Sequence, residues 1–224
     1  MYSYSLRLDR GARATLVAAL ILAVLSPFLA LADSSSSPFP GLELVPAKNI
    51  GALYRRPDVD LTAYNKILIG EPAVQFSKNW NPRNYGTFGL SAAQLTKIRA
   101  ELAAMAKGVF TKTLSDGGFE IVTDAGDGVL AITPNIVDVF INAPDVPTAG
   151  RSRTYTMDAG SATLALQVND AVTGTLLAVA LDSRRSGTSS MRWTTSVSNR
   201  AAAEQMLKNW AEQLKRELDA ARAR

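Results

Sequence analysis

Two residue types that carry much of protein chemistry are missing: the 224-residue chain has no cysteine and no histidine. Without thiols there is no disulfide, no thiolate nucleophile and no cysteine to take a lipid at a processing site. Without imidazole, the Ser-His-Asp triad and the zinc sites built from His and Cys fall away too. Carboxylate chemistry and Ser–Lys pairs survive. A large excess of charge of one sign is also absent, with 24 Lys and Arg against 20 Asp and Glu. A balance so close to neutral gives no electrostatic reason for nucleic-acid binding.

What is there begins with "ATLVAALILAVLSPFLALADSSSSPFPG", Ala14 to Gly41. Arg7, Arg10 and Arg13 precede it, and the chain is then apolar to Leu25 except for Thr15. Pro27 breaks the run, because a proline lacks the N–H and clashes with the preceding turn. As helix, the stretch before Pro27 spans roughly 18 Å against a hydrocarbon core of about 30 Å, too short to cross comfortably. Ala30-Leu31-Ala32 is the small-x-small pattern of a cleaved export signal. The expected organisation is a signal peptide over 1–32, a flexible Ser/Pro leader over 33–41 and a single domain over 42–224. An uncleaved N-terminal anchor is the alternative, since the apolar run resumes after Pro27. Cleavage leaves 21 basic and 19 acidic residues, in a chain long enough for one proper core. The product is expected in the periplasm or secreted, with membrane contact at most peripheral and no lipid anchor.

Residues 42–64 have apolar punctuation without a period and read as an extended lead-in lying across the domain. "KILIGEPAVQF", Lys66 to Phe76, alternates as a strand, with Pro72 predicting an edge, a bulge or a terminus. The loop after it carries Trp80, Tyr85 and Phe88, rings expected to fold back as a lid on the core. Ser91-Ala-Ala-Gln94 is a capping box opening a helix. Leu95, Ile98, Leu102, Met105 and Val109 recur on one face of that helix, and Asp116-Gly-Gly118 ends it.

A short strand follows over Phe119–Thr123. Asp124-Ala-Gly-Asp-Gly128 holds two aspartates, but without the further ligands of a calcium loop it reads as a turn. Val129–Asn142 is a long apolar strand, with a bulge or bend expected at Pro134. "SATLALQV" and "TLLAVALDSR" flank "NDAVTG" as a hairpin, Asp170 accepting local backbone N–H groups and Gly174 taking positive φ. "RRSGTSSMRWTTS" reads as a loop. Ser198 starts a last helix with Ala203, Leu207, Trp210, Leu214 and Leu218 on one face. Glu204–Lys208 and Glu212–Arg216 are spaced as i,i+4 ion pairs, and Arg222 and Arg224 suit the C-terminal end of the macrodipole. The order strand, helix, four strands, helix predicts an α+β two-layer sandwich, one mostly antiparallel sheet with two helices packed on one face.

Tyr54-Arg-Arg-Pro-Asp-Val-Asp-Leu-Thr-Ala-Tyr64 leading into "KILIGEPAVQF" is similar to the opening of the bacterial envelope family called domain of unknown function 3313. The likeness continues through "SAAQLTKIRAEL", the "LQVNDAVTGTLLAVALDSRRSG" hairpin and "AAAEQMLKNWAEQLKREL", about Leu42 to Leu218. The resemblance implies an exported bacterial protein with no established activity, frequently lipid-anchored. This chain departs from it in having no cysteine for the lipid.

Three functions follow. The first is a non-catalytic protein that binds another envelope protein or itself. Its candidate surface is Arg184, Arg185, Arg192 and Trp193 between the hairpin and the last helix, residue types that dominate interface energetics. The second is a periplasmic protein binding a small apolar or anionic ligand. The third is a hydrolase without His or Cys. Ser186, Ser189 and Ser190 near basic residues are ordinary turn chemistry in a Gly/Ser stretch, so no catalytic residue is assigned. No cofactor or metal is expected.

Overall fold

The computed structural model describes residues 37–57, 59–84, 89–142, 155–193 and 196–222, with side chains placed except at 155–159 and 186–199. Strands β1 (Glu43–Val45), β2 (Ala52–Arg55), β3 (Lys66–Ile69) and β4 (Val74–Phe76) precede helix α1 (Ala92–Asp116). Then come β5 (Glu120–Val122), β6 (Val129–Ile141), β7 (Tyr155–Asp170), β8 (Leu176–Trp193) and helix α2 (Ser196–Arg222). They form one sheet in the order β1-β2-β8-β7-β6-β3-β5, with β4 beside β6. Pairing is antiparallel from β1 to β6, while β3 lies parallel between β5 and β6. The α+β sandwich is therefore present as a mixed sheet. A parallel partner on β3 follows from the α1 crossover, which returns the chain in the same direction.

The lead-in lies along the sheet rather than across it. β2 pairs with β8 and β1 with β2, extending the hairpin at its edge.

Pro72 sits at the interruption between β3 and β4. Beside it, Gly70 donates to Ile132 and Ala73 accepts from Ile136. Even-numbered β6 backbone groups thus point this way, and Pro134, which has no N–H, faces the gap where none is needed. Buried Asn135 supplies the missing acceptor, its Oδ1 taking the Ala73 N–H at 2.9 Å. The bulge expected at Pro134 lies further on, between Val137 and Phe140, where Asp138 has φ 51°.

The capping box forms as the sequence predicts: Gln94 N–H donates to Ser91 Oγ and Ser91 N–H to Gln94 Oε1. At the other end Gly118 takes φ 85°, its N–H reaching Ser115 O while Phe119 N–H reaches Leu114 O. That is a Schellman stop, and Phe119 beyond it is buried. The deepest face of α1 is Ala106, Phe110, Thr113 and Leu114, with Leu102, Met105 and Val109 only partly buried beside it. The expected stripe was rotated by about one position, because Ala and Thr on the true inner face carry little hydropathy signal.

The main core joins α1, Leu207, Trp210, Ala211, Leu214 and Leu218 of α2, and one face of the sheet. A second cluster covers the opposite face: Phe39 and Leu42 pack with Val179, beside Tyr54, Leu176 and Leu181. The unit that starts at Ser37 takes in the end of the Ser/Pro stretch, which contributes Phe39 as a buried ring. Trp80 is buried, stacks on Phe76 and donates its indole N–H to Ile141 O at 2.8 Å, the lid role expected of the loop aromatics. Tyr85 and Phe88 lie outside the described residues.

Candidate functional site

β8 decides what the arginines can do. Strand side chains alternate, and Ala180 belongs to the main core while Val179 belongs to the cluster on the other face. Continuing that alternation, Asp182 and Arg184 face the helices, and Ser183 and Arg185 face away. Ser183 Oγ accordingly meets Thr163 Oγ1 at 2.7 Å on the outer side. Arg184 and Arg185 therefore do not share a surface. β8 also runs on to Trp193, so the segment expected as a loop is strand: Arg192 pairs with Thr156 and Trp193 with Tyr155. The side chains of Arg192 and Trp193 lie outside those described.

Arg184 belongs to a polar knot centred on Asp182, which is only 9% exposed. Asp182 Oδ2 accepts from Arg184 Nε and from Trp210 Nε1, each at 2.7 Å. Oδ1 accepts the Gly51 N–H at 3.0 Å. A carboxylate this buried needs such partners, since an unpaired charge away from water is costly. The knot ties three elements together: the turn before β2, the strand and α2. Asn49 forms that turn at φ 61°, and its carbonyl accepts from Arg184 Nη2 at 3.3 Å. Gly51 passes so close to β8 that an added Cβ would stand 2.9 Å from Leu181 O.

Beside the knot is a cleft of about 800 Å³, walled by Asn49, Ile50 and Gly51 on one side and by Asn209, Glu212, Gln213 and Arg216 of α2 on the other. Asp182, Ser183 and Arg184 complete its lining. Gln213 is buried and fully used: its Nε2 donates to Lys48 O at 2.9 Å and to Glu217 Oε1, and its Oε1 accepts from Arg216. Arg216 thus turns to Gln213, and the Glu212–Arg216 pair that the spacing predicts is not made. Among the described residues Lys215–Asp219 is an i,i+4 ion pair on this helix.

A second constellation clamps the opposite end of the sheet. Asp170 Oδ1 accepts from Val172 N, Thr173 N and Thr173 Oγ1, and Gly174 has φ 71°, the turn expected of "NDAVTG". Its Oδ2 takes the Tyr64 hydroxyl at 2.9 Å. These hydrogen bonds, led by the Thr173 N–H, hold the Asp170 carboxyl below its ordinary value. Tyr64 is pushed up, first by burial and then by its bond to Asp170. Arg222 donates to Tyr64 O and stacks 4.0 Å above the Phe119 ring, fastening the end of α2. Arg224 lies outside the described residues.

Among the described residues no group of three or more Asp or Glu converges as metal ligands. Asp124 accepts from Thr123 Oγ1, and Gly128 at φ 69° closes the turn that holds it. Arg184, a candidate from the sequence, lines this cleft, whereas Asp182, Gln213 and the 48–51 turn beside it were not among the candidates. One signal was present: in "AVALDSR" Asp182 occupies an inward register position, where an ionisable residue must have partners.

No curated protein matches the chain. Solved structures that resemble it include the PelC dodecamer from Paraburkholderia phytofirmans, at 11% identity and TM-score 0.37, covering 71% of this chain and 95% of that one. A DUF330 protein from Xanthomonas campestris shows 15% identity and TM-score 0.39 over 78% of this chain and 89% of its own. A minor lipoprotein from Acinetobacter baumannii shows 10% identity and TM-score 0.34 over 71% and 95%. Residues 37–214 match the family described as protein of unknown function DUF3313, a span running from the first described residue into the last helix. The chain belongs to the DUF3313 family.

Proposed function

We propose that this protein is an exported, non-catalytic binding factor of the bacterial cell envelope, and that it engages its partner through the cleft between the 48–51 turn, β8 and α2. The observation that carries this reading is the state of Asp182. Two carboxylates line the cleft, Asp182 and Glu212, which on its own would suit acid–base chemistry. Yet both oxygens of Asp182 are occupied by the donors that hold the cleft together. A group so committed is a structural post, and a lone Glu212 makes no acid–base pair. What is left is a concavity lined by charged and amide side chains, suited to binding a polar partner rather than to acid–base chemistry. The basic n-region, short apolar run and Ala-Leu-Ala exit support export, and no helix among the described residues is long and apolar enough to cross a membrane. The partner is another envelope protein or a second copy of the chain.

The test is photo-crosslinking in living cells with a benzophenone amino acid placed at Asn209, inside the cleft, or at Arg185, on the other face of the sheet. Adducts from position 209 and none from 185 are expected. Adducts from 185 alone would move the binding surface to the other side of β8.

A further inference from the structure

Resting on that reading, the cleft's hydrogen-bonding inventory specifies what it receives. Arg184 has given Nε to Asp182 and Nη2 to Asn49 O, leaving Nη1 for a ligand. Asn209 has used its oxygen to accept from Gln205, leaving its NH₂ donors. Arg216 has given one Nη2 hydrogen to Gln213 and keeps most of its five donors. Against these donors stands one uncommitted carboxylate: among the described residues Glu212 makes no hydrogen bond or ion pair, although it lines the cleft one helical turn before Arg216. A Glu–Arg pair in this order normally closes on itself. Here buried Gln213 draws the guanidinium away and the two charges stay apart. The lining carries two positive and two negative groups (Arg184, Arg216, Asp182 and Glu212), so an anion alone has no net attraction to it.

We propose that the cleft takes an extended peptide segment bearing a basic and an acidic side chain two residues apart, the ammonium at Glu212 and the carboxylate at Arg216. The spacing agrees: residues one helical turn apart have Cβ atoms about 5–6 Å apart, and side chains on one face of an extended chain repeat at about 6.6 Å. The segment belongs to the partner, and it closes the ion pairs that α2 leaves open.

The probe is the blocked pentapeptide acetyl-Ala-Lys-Ala-Glu-Ala-amide and its reverse, titrated into the purified exported chain while NMR follows the side-chain amides of Asn209 and Gln213. At least one order of the charges should saturate those resonances. Replacing its Lys or its Glu by Gln should weaken it about three- to tenfold, the range of a charge-assisted contact at a wetted surface. Glu212→Gln should abolish the preference for Lys with thermal melting unchanged, and Arg216→Gln the preference for Glu with melting somewhat lowered, because buried Gln213 loses a donor. Equal binding by the Gln peptides overturns the charge assignment. No binding by any peptide, alongside cellular adducts at position 209, overturns the peptide chemistry and leaves the cleft as the binding surface. No binding and no adducts removes both.

Discussion

The indole N–H of Trp210 donates to Oδ2 of Asp182 across 2.7 Å, joining α2 to the middle of β8 inside the core. The same carboxylate holds Gly51 and Arg184, so one side chain fixes the wall, the floor and one arginine of the cleft.

Asp182→Ala is accordingly expected to destabilise the protein by about 3 kcal/mol, because it strands a buried indole N–H, a backbone N–H and a guanidinium together. Urea denaturation of the two proteins measures this. Asp182→Asn keeps an acceptor and the shape, and should cost less. Equal stability of wild type and the Ala variant would mean that the knot is not formed in solution.

Arg184 and Arg185 should separate cleanly. Arg184→Glu places a second carboxylate beside Asp182 and is expected to cost about 2–3 kcal/mol. Arg185→Glu, on an exposed side chain of the opposite face, should cost about 1 kcal/mol or less. Thermal melting of each single variant checks the pair. A double charge reversal would confuse binding with unfolding, so partner recovery is better tested with Glu212→Gln, which breaks no hydrogen bond among the described residues.

The Tyr64–Asp170 clamp predicts a pH signature. The Asp170 carboxyl lies below its ordinary 3.8, so its contribution is present above that value and lost as pH falls through the lower folded one. Tyr64 lies above its ordinary 10.0, so its contribution is present below 10.0 and lost as pH rises through the higher folded one. Tyr64→Phe should melt at a lower temperature than wild type at neutral pH, with the gap closing at both extremes. A gap independent of pH would show that the hydroxyl, not the ionised carboxylate, carries the effect.

Glycine matters at one strand position above others. Gly160 has φ 150°, and an added Cβ would strike Phe140 O of the neighbouring strand. Gly160→Ala should destabilise by about 2–3 kcal/mol through the β6–β7 register. Gly118→Ala, also at positive φ but facing open space, should cost about 1–2 kcal/mol. Chemical denaturation of both variants gives the comparison.

How far the sequence could be read depended on whether partners were near in the chain. The Ser91–Gln94 box, the Gly118 stop and the Asp170–Gly174 turn are local bonds, and each forms as expected. Long alternating strands were also legible, since period two needs no partner to be recognised. Asp182 was not, because its partners Gly51 and Trp210 stand 131 and 28 residues away. The same distance hid the pairing of β2 with β8 and the parallel placement of β3. The Glu212–Arg216 pair failed for a related reason: spacing on a helix says which residues can meet, and buried Gln213 decided otherwise.

Gln213 reaching Lys48 O, 165 residues back, sets an order of events. Loop closure over such a separation is slow and comes late in assembly. Until the final helix is synthesised and docked, the 48–51 turn is held by β8 alone and the cleft lacks the wall that α2 supplies. A chain stopped before Ser196 would lack that wall, however well its strands had paired, and the cleft is complete only in the finished fold.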